Sequence, residues 1–240
     1  MSHTKDDLRE LQSKSLEEKI QISTARIIEW YESWNGQVCI SFSGGKDSRV
    51  LLDLVRRIYP DVPVVFSDTG LEFPEIREFV KSFDNVEWVK PKYTFIEVLK
   101  KYGYPIISKR VSDDVHGAKP ENRRWRTLHG TDTMKSGEPS LFNSAKWAYL
   151  LNAEFKIGSS CCNVMKKNPL KKYQKETGRM PYIGTMTEES MSRRAQWLQT
   201  GCNAFTGTHP MSTPMLFGQN KMYYDTSKNT ICPMHLSMVN

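Results

Sequence analysis

Apolar residues recur at helical spacing through the first 34 positions. Leu8, Leu11, Ile20, Ile22, Ile27, Ile28 and Trp30 sit among charges, and Asn35 with Gly36 follows as a stop signal. This predicts a helical lead-in over residues 1–36 that packs on the domain behind it. The period then changes. Residues 37–42 (QVCISF) are a short β-rich run, and Val50, Leu51, Leu54, Val55 and Ile58 mark one face of a helix over 47–59. The alternation repeats as a strand at 62–66, a helix at 74–83 with Pro74 in its first turn, a strand at 86–89 and a helix at 94–102. Strands alternating with helices at these lengths predict an α/β fold, a Rossmann-like parallel sheet with helices on both faces. Ligands of such sheets bind beyond the carboxyl ends of the strands.

From 105 to 160 the pattern weakens. Short helical candidates at 121–128 and 141–151 flank a Gly/Thr/Ser-rich stretch at 130–140, which suggests a substrate-facing insertion or lid. Regular spacing returns with a helix at 169–177, a strand at 182–184 and a helix at 188–200. Neither an internal repeat nor a low-complexity segment interrupts the chain.

At 240 residues the chain is long enough for one full-sized domain, placed here at 37–214. No apolar run approaches the roughly 18 residues that span a bilayer, and the amino terminus lacks the apolar core of a signal peptide, so a cytoplasmic protein without a membrane partner is expected. The five cysteines, Cys39, Cys161, Cys162, Cys202 and Cys232, are then expected as thiols or metal ligands. The net charge of +7 favours a polyanionic partner, a nucleotide, a nucleic acid or both, against the alternative of an ordinary basic surface.

The chemistry concentrates at residues 43–48, SGGKDS, between the first predicted strand and the helix after it. Gly44 and Gly45 let backbone approach an anion, and the N–H groups of a helix start point at it. Lys46 and the hydroxyls of Ser43 and Ser48 add donors, while Asp47 can cap the helix or orient a cation. This is not a Walker A loop, because Ile40 stands where that motif needs Gly and Asp47 where it needs Ser or Thr; nor is it a G-x-G-x-x-G turn.

SFSGGKDS after a strand resembles the PP-loop of ATP pyrophosphatases and sulfonucleotide reductases, within the adenine nucleotide alpha-hydrolase-like superfamily. Three further segments follow in order. FSDTGLEFPE at 66–75 resembles the DTG-x-x-FPET segment of the phosphoadenosine phosphosulfate reductases, CCNVMKKNPL at 161–170 the CC-x-x-RK-x-x-PL segment of the adenylyl sulfate reductases, and GTMTEESMSRR at 184–194 the string GLRRDQSPTR. The resemblance implies an adenine nucleotide, ATP or phosphoadenosine phosphosulfate, as substrate, and admits Mg. It places Asp68, Thr69 and Gly70 at the nucleoside, Lys166 and Arg193 at the phosphate or sulfate end, and Lys46, Asp47 and Arg193 in catalysis. By themselves, Lys166 and Arg193 read more readily as a solvated helix face; their place inside matching motifs reverses that.

The departures are as informative. Met186 and Thr187 replace an arginine pair suited to bidentate oxyanion contacts, and the ECGLH motif that carries the reductases' nucleophilic cysteine is absent. Adjacent Cys161 and Cys162 lack zinc-knuckle spacing. In the adenylyl sulfate reductases such a pair joins a later C-x-x-C around an iron-sulfur cluster; here neither Cys202 nor Cys232 lies in one. Cys161, Cys162 and Cys202 are therefore the candidate metal ligands, with an iron-sulfur cluster not expected. Cys39, inside a strand, is expected as core.

After Pro214 the residues show no clear period. Ordinary codons for 215–240, read one base out of frame, permit NAFWTEQDVLRYIKEHNLPYASVYGE, an amphipathic helix in the family's register. The expectation is a frame-shifted tail, irregular, poorly packed from Met215 onward and dispensable for nucleotide binding. The resulting functional expectation is an enzyme that acts on a sulfonucleotide, or uses ATP to adenylate a second substrate with release of pyrophosphate. The alternative is a non-catalytic, nucleotide-dependent regulatory or nucleic-acid-binding module.

Overall fold

The computed structural model describes residues 3–218. Its chain divides into two compact units, one formed by Met1–Ser67, Glu72–Val89 and Leu170–Asn240, the other by Asp68–Leu71 and Lys90–Pro169. The first unit takes in the amino-terminal helices, so the expected boundaries at 36 and 214 do not coincide with a unit boundary.

Among the described residues the first unit contains a six-stranded sheet in the order β3-β2-β1-β4-β6-β5, with β1 Val38–Phe42, β2 Val64–Ser67, β3 Val86–Val89, β4 Met180–Ile183, β5 Asn203–Ala204 and β6 Met211–Ser212. Every pairing is parallel except β5 with β6. That antiparallel edge was not expected, because two-residue strands are too short to show a period. The α/β class holds, as a mixed, mainly parallel sheet.

β1 lies at the centre, and its side chains alternate between faces. Val38, Ile40 and Phe42 join Val64 and Phe66 of β2 in the main core with Ile27, Trp30, Leu51 and Val55, all nearly solvent-free. Cys39 points the other way and is also fully buried, beside Tyr173 of α8 (Asn168–Thr177). The sheet is thus covered on both faces, which is why β1 reads as a continuous apolar run.

The lead-in is two helices, α1 Lys5–Ser13 and α2 Leu16–Ser33, broken at Lys14 and Ser15. Capping boxes at Thr4 with Asp7 and Ser15 with Glu18 start each helix and satisfy otherwise orphaned N–H groups. Ile27 and Trp30 anchor α2 in the main core, while Leu8 of α1 joins Trp197, Cys202, Leu216 and Phe217 in a second cluster.

This second cluster corrects the expectation for the start of the tail. Met215, Leu216 and Phe217 are fully buried, Leu216 O accepts from Thr187 N at 2.7 Å, and Pro214 O accepts from Ser23 Oγ at 3.0 Å. Three apolar residues in succession need no period if a tight turn can bury all of them. The rest of the frame-shift expectation falls on 219–240, outside the described residues.

The second unit holds α5 Phe95–Tyr102, α6 Lys109–Gly117, α7 Arg123–His129, a 3-10 helix Ala145–Asn152 and a π-helical turn Asn163–Lys167. The sequence pattern missed α6 and placed the 3-10 helix too early. Small cores hold the unit together, one around Val98, Val164 and Met165 and another around Val111, Leu150 and Ile157.

Candidate functional site

β1 ends at Phe42 and α3 (Lys46–Arg56) begins four residues later, so 43–45 form the turn between them and 46–48 the first turn of the helix. Gly44 has φ +76, and a Cβ there would lie 2.6 Å from Ile76 Cγ2; glycine is required on both counts. Gly45 is the N-cap of α3 and supplies no side-chain cap, so the backbone of the first helical turn is left accessible to an anion.

Two serines brace the turn. Ser48 Oγ donates to Gly45 O at 2.8 Å and accepts from Ser43 N at 3.3 Å, and the Ser43 and Ser48 hydroxyls lie 3.1 Å apart. Ser48 is buried while Ser43, Gly45 and Lys46 are exposed. The Ser48 hydroxyl therefore serves the shape of the loop, and Lys46 is its outward cation.

The sheet order explains why this turn is the place for a ligand. From β1 the chain runs to β2 and β3 on one side, then returns to place β4 on the other side of β1. The loops after β1 and β4 consequently diverge at the switch point where doubly wound sheets bind ligands. Gly184, just past β4, approaches so closely that a Cβ there would sit 2.9 Å from Asp47 O.

The chain after Gly184 brings Arg193 to this turn. A single 3-10 turn, Thr187–Glu189, leads through Ser190 into α9 (Met191–Thr200), where Ser190 Oγ accepts from Arg193 N at 3.3 Å. Arg193 forms an ion pair with Glu189, whose other carboxylate oxygen accepts from Met186 N at 2.7 Å. Lys46 Nζ lies 3.6 Å from Asp47 Oδ1. Burial pushes the Asp47 carboxyl above its ordinary value; Lys46 and Arg193 oppose the shift and Glu189 adds to it. Two cations and two carboxylates thus converge beyond β1 and β4. Glu189 was not among the expected site residues, although its i,i+4 spacing to Arg193 is legible in sequence.

The other expected residues lie in the second unit. Asp68 and Thr69 are buried directly after β2; Asp68 Oδ1 accepts from Gly70 N at 3.2 Å, Thr69 Oγ1 accepts from Leu71 N at 3.3 Å, and Gly70 has φ +77. Lys166 is exposed on the π-helical turn.

The candidate metal set is not assembled. Among the described residues no three His, Cys, Asp or Glu side chains come together in a way that could hold a metal ion. Cys161 packs beside Val98, Val164 and Met165, and Cys162 is exposed. Cys202 belongs to the apolar cluster of Leu8 and Trp197, where burial pushes its thiol up to about 11. Cys39 is core as expected, its thiol pushed by burial to about 12. Such thiols are protonated at neutral pH and make poor ligands.

The family model of the phosphoadenosine phosphosulfate reductase domain matches residues 37–213, from β1 to just beyond β6. The chain belongs to the phosphoadenosine phosphosulfate reductase family. An uncharacterised protein of Methanocaldococcus jannaschii is 36% identical over 143 residues, 55% of this chain and 33% of that one. The adenosine 5'-phosphosulfate reductase of Geobacillus kaustophilus is 33% identical over 76 residues, 31% of this chain and 30% of that one. The matches to these two curated relatives thus span about a third of their length. Among solved structures, the phosphoadenylyl-sulfate reductase of Candida auris, as a phosphate complex, aligns over 97% of this chain and 90% of that one, at 14% identity and a TM-score of 0.46. That last likeness is too distant to carry weight.

In this family member the arginine pair of the GLRRDQSPTR string is absent in space as well as in sequence. Met186 is fully buried in the main core, and Thr187 is buried with its hydroxyl accepting from Gln12 Nε2 at 3.2 Å. Both residues hold the loop in place, and neither presents a charge to a ligand.

Proposed function

We propose that the chain binds the phosphates of an adenylyl nucleotide at the 43–48 turn, with Lys46 and the α3 N-terminus on the anion and Arg193 at its far end. The observation that carries this reading is the convergence of a glycine turn, an uncapped helix start and two cations at the switch point of the sheet. Asp47 supplies an oxygen donor of the kind that magnesium takes when it accompanies a polyphosphate.

Of the two chemistries, adenylation fits these residues better. An oxygen of a second substrate attacks the α-phosphorus of ATP, the bond from that phosphorus to the bridging oxygen breaks, and pyrophosphate leaves. Lys46 and Arg193 stabilise charge on the phosphates without supplying a nucleophile. Reductive cleavage of a sulfonucleotide needs a thiolate; burial raises the thiols of Cys39 and Cys202, so among the described residues that chemistry would have to use Cys161 or Cys162.

Titration calorimetry with ATP and with adenosine phosphosulfate tests the reading. Lys46→Ala is expected to weaken nucleotide binding by about 1–3 kcal/mol, the usual size of a charge-assisted contact. Unchanged affinity in a folded variant would refute the assignment. Pyrophosphate released from ATP supports adenylation; sulfite released from the sulfonucleotide would replace it with reduction.

A further inference from the structure

The surplus positive charge of the chain is confined to the second unit. Residues 68–71 and 90–169 hold 15 Lys and Arg against 8 Asp and Glu, while the remainder holds 19 of each. Exposure widens the imbalance. All 15 cations are exposed, whereas Asp68 is buried, Asp113 and Asp114 are half-buried and the buried Asp132 pairs with Arg123 and Arg126 of α7, which leaves four exposed carboxylates. An ordinary solvated face intersperses the two signs.

The same unit exposes four aromatic side chains, Tyr104, Phe142, Tyr149 and Phe155. Of twelve large apolar residues exposed among the described residues, nine belong to it, including Phe142 and Tyr149 at 56% and 62% exposure. Phe142 among them, and the half-buried Trp147, meet cations. The Arg110 guanidinium lies 5.1 Å from the Phe142 ring centroid and donates to Phe142 O at 3.0 Å; Lys146 Nζ lies 5.1 Å from the Trp147 ring centroid. On α7, Trp125 and His129 stack with centroids 3.7 Å apart. Val111 of α6 and Leu150 of the 3-10 helix share one small core with Trp147, so these groups stand on a packed platform.

Cations beside accessible rings suit a polymer that alternates phosphates with flat bases. The cations hold the backbone and the rings stack on unpaired bases. A protein partner chosen by charge alone would give no role to the exposed rings. We propose that the second unit binds single-stranded nucleic acid on the face built from α6, α7 and the 3-10 helix, with Arg110 and Lys146 on phosphates and Phe142 and Tyr149 on bases. The proposal does not depend on the nucleotide reading, because none of these residues belongs to the 43–48 turn or its companions.

Fluorescence anisotropy of the full chain with a labelled RNA strand of about 20 nucleotides, enough to span one site, tests this. Binding is expected to weaken with salt at a logarithmic slope of about −2 if three phosphates are neutralised. Arg110→Gln with Lys146→Gln should weaken both the strand and inorganic polyphosphate. Phe142→Ala, and independently Tyr149→Ala, should weaken the strand by roughly fivefold to a hundredfold and leave polyphosphate unaffected. Absence of binding at physiological salt would overturn the proposal. So would equal binding of duplex, poly-glutamate or polyphosphate, or a Phe142→Ala effect shared by polyphosphate. ATP affinity measured on the same samples reports separately on the 43–48 turn.

Discussion

Asp47 and Glu189 illustrate how single residues set the charge state beyond β1 and β4. The folded chain holds the Asp47 proton more tightly than the unfolded chain does, because burial disfavours the ionised form. The stability supplied by that proton is complete below the ordinary aspartate value of about 4 and is lost as pH rises through the raised folded value. Asp47→Asn should therefore match the native chain in melting temperature at low pH and exceed it at neutral pH. Parallel curves across the range would contradict this. Glu189 acts on Arg193 instead. Its carboxylate holds the guanidinium that a bound anion would need, where the GLRRDQSPTR string carries an amide. Glu189→Gln keeps an acceptor for Met186 N and removes the competing charge. Nucleotide affinity should rise by about 0.5–1 kcal/mol, the scale of a partly exposed pair, and the gain should vanish in an Arg193→Met background. A gain that survives without Arg193 would show another cause.

At the scale of elements, how a segment is built decided whether its sequence revealed it. β1, α3, β2, α4 (Pro74–Lys81), β3 and α5 each carry either an apolar run or a helical stripe, and Pro74 and Thr94 mark helix starts. α6 was missed although Ser108 caps it and Val111 and Val115 recur four apart, because its polar DD and KR pairs dilute the stripe. β5 and β6 carry no local signal at all; their existence depends on β4 offering a free edge. The candidate turn was legible for a similar reason, being six contiguous residues at the junction of a strand and a helix. The Gly184 approach to α3 was not, since it joins residues far apart in sequence. A methyl group at Gly184 would press on Asp47 O, a backbone atom that moves only with α3. Gly184→Ala should lower stability by about 1–3 kcal/mol, the usual cost of overpacking, and weaken nucleotide binding in the same variant. Calorimetry and thermal melting that both match the native chain would show that β4 and α3 can part without consequence.

At the scale of the whole molecule, the 37–213 family match describes less than what holds the first unit together. Met215 closes the main core against the sheet, and Leu216 and Phe217 close the cluster that secures α1 and α9. This short apolar run is therefore the point at which two cores meet, the second of which joins the two ends of the described chain. Sequence period could not reveal it, because three consecutive apolar residues fit neither a helical stripe nor an alternating strand. Truncating one buried side chain of this size to alanine typically removes about 2–5 kcal/mol, and a domain has about 5–15 kcal/mol in all. Replacing Met215, Leu216 and Phe217 together by Ala should consequently leave the first unit unfolded or marginal at 25 °C. Phe217→Ala alone should lower stability by about 3–5 kcal/mol while leaving the 43–48 turn able to bind nucleotide in the folded fraction. Chemical denaturation followed by tryptophan fluorescence would report the loss, because Trp197 packs in the same cluster as Phe217. A triple variant that melts within a few degrees of the native chain would mean that these residues only lie against the cores and do not hold them.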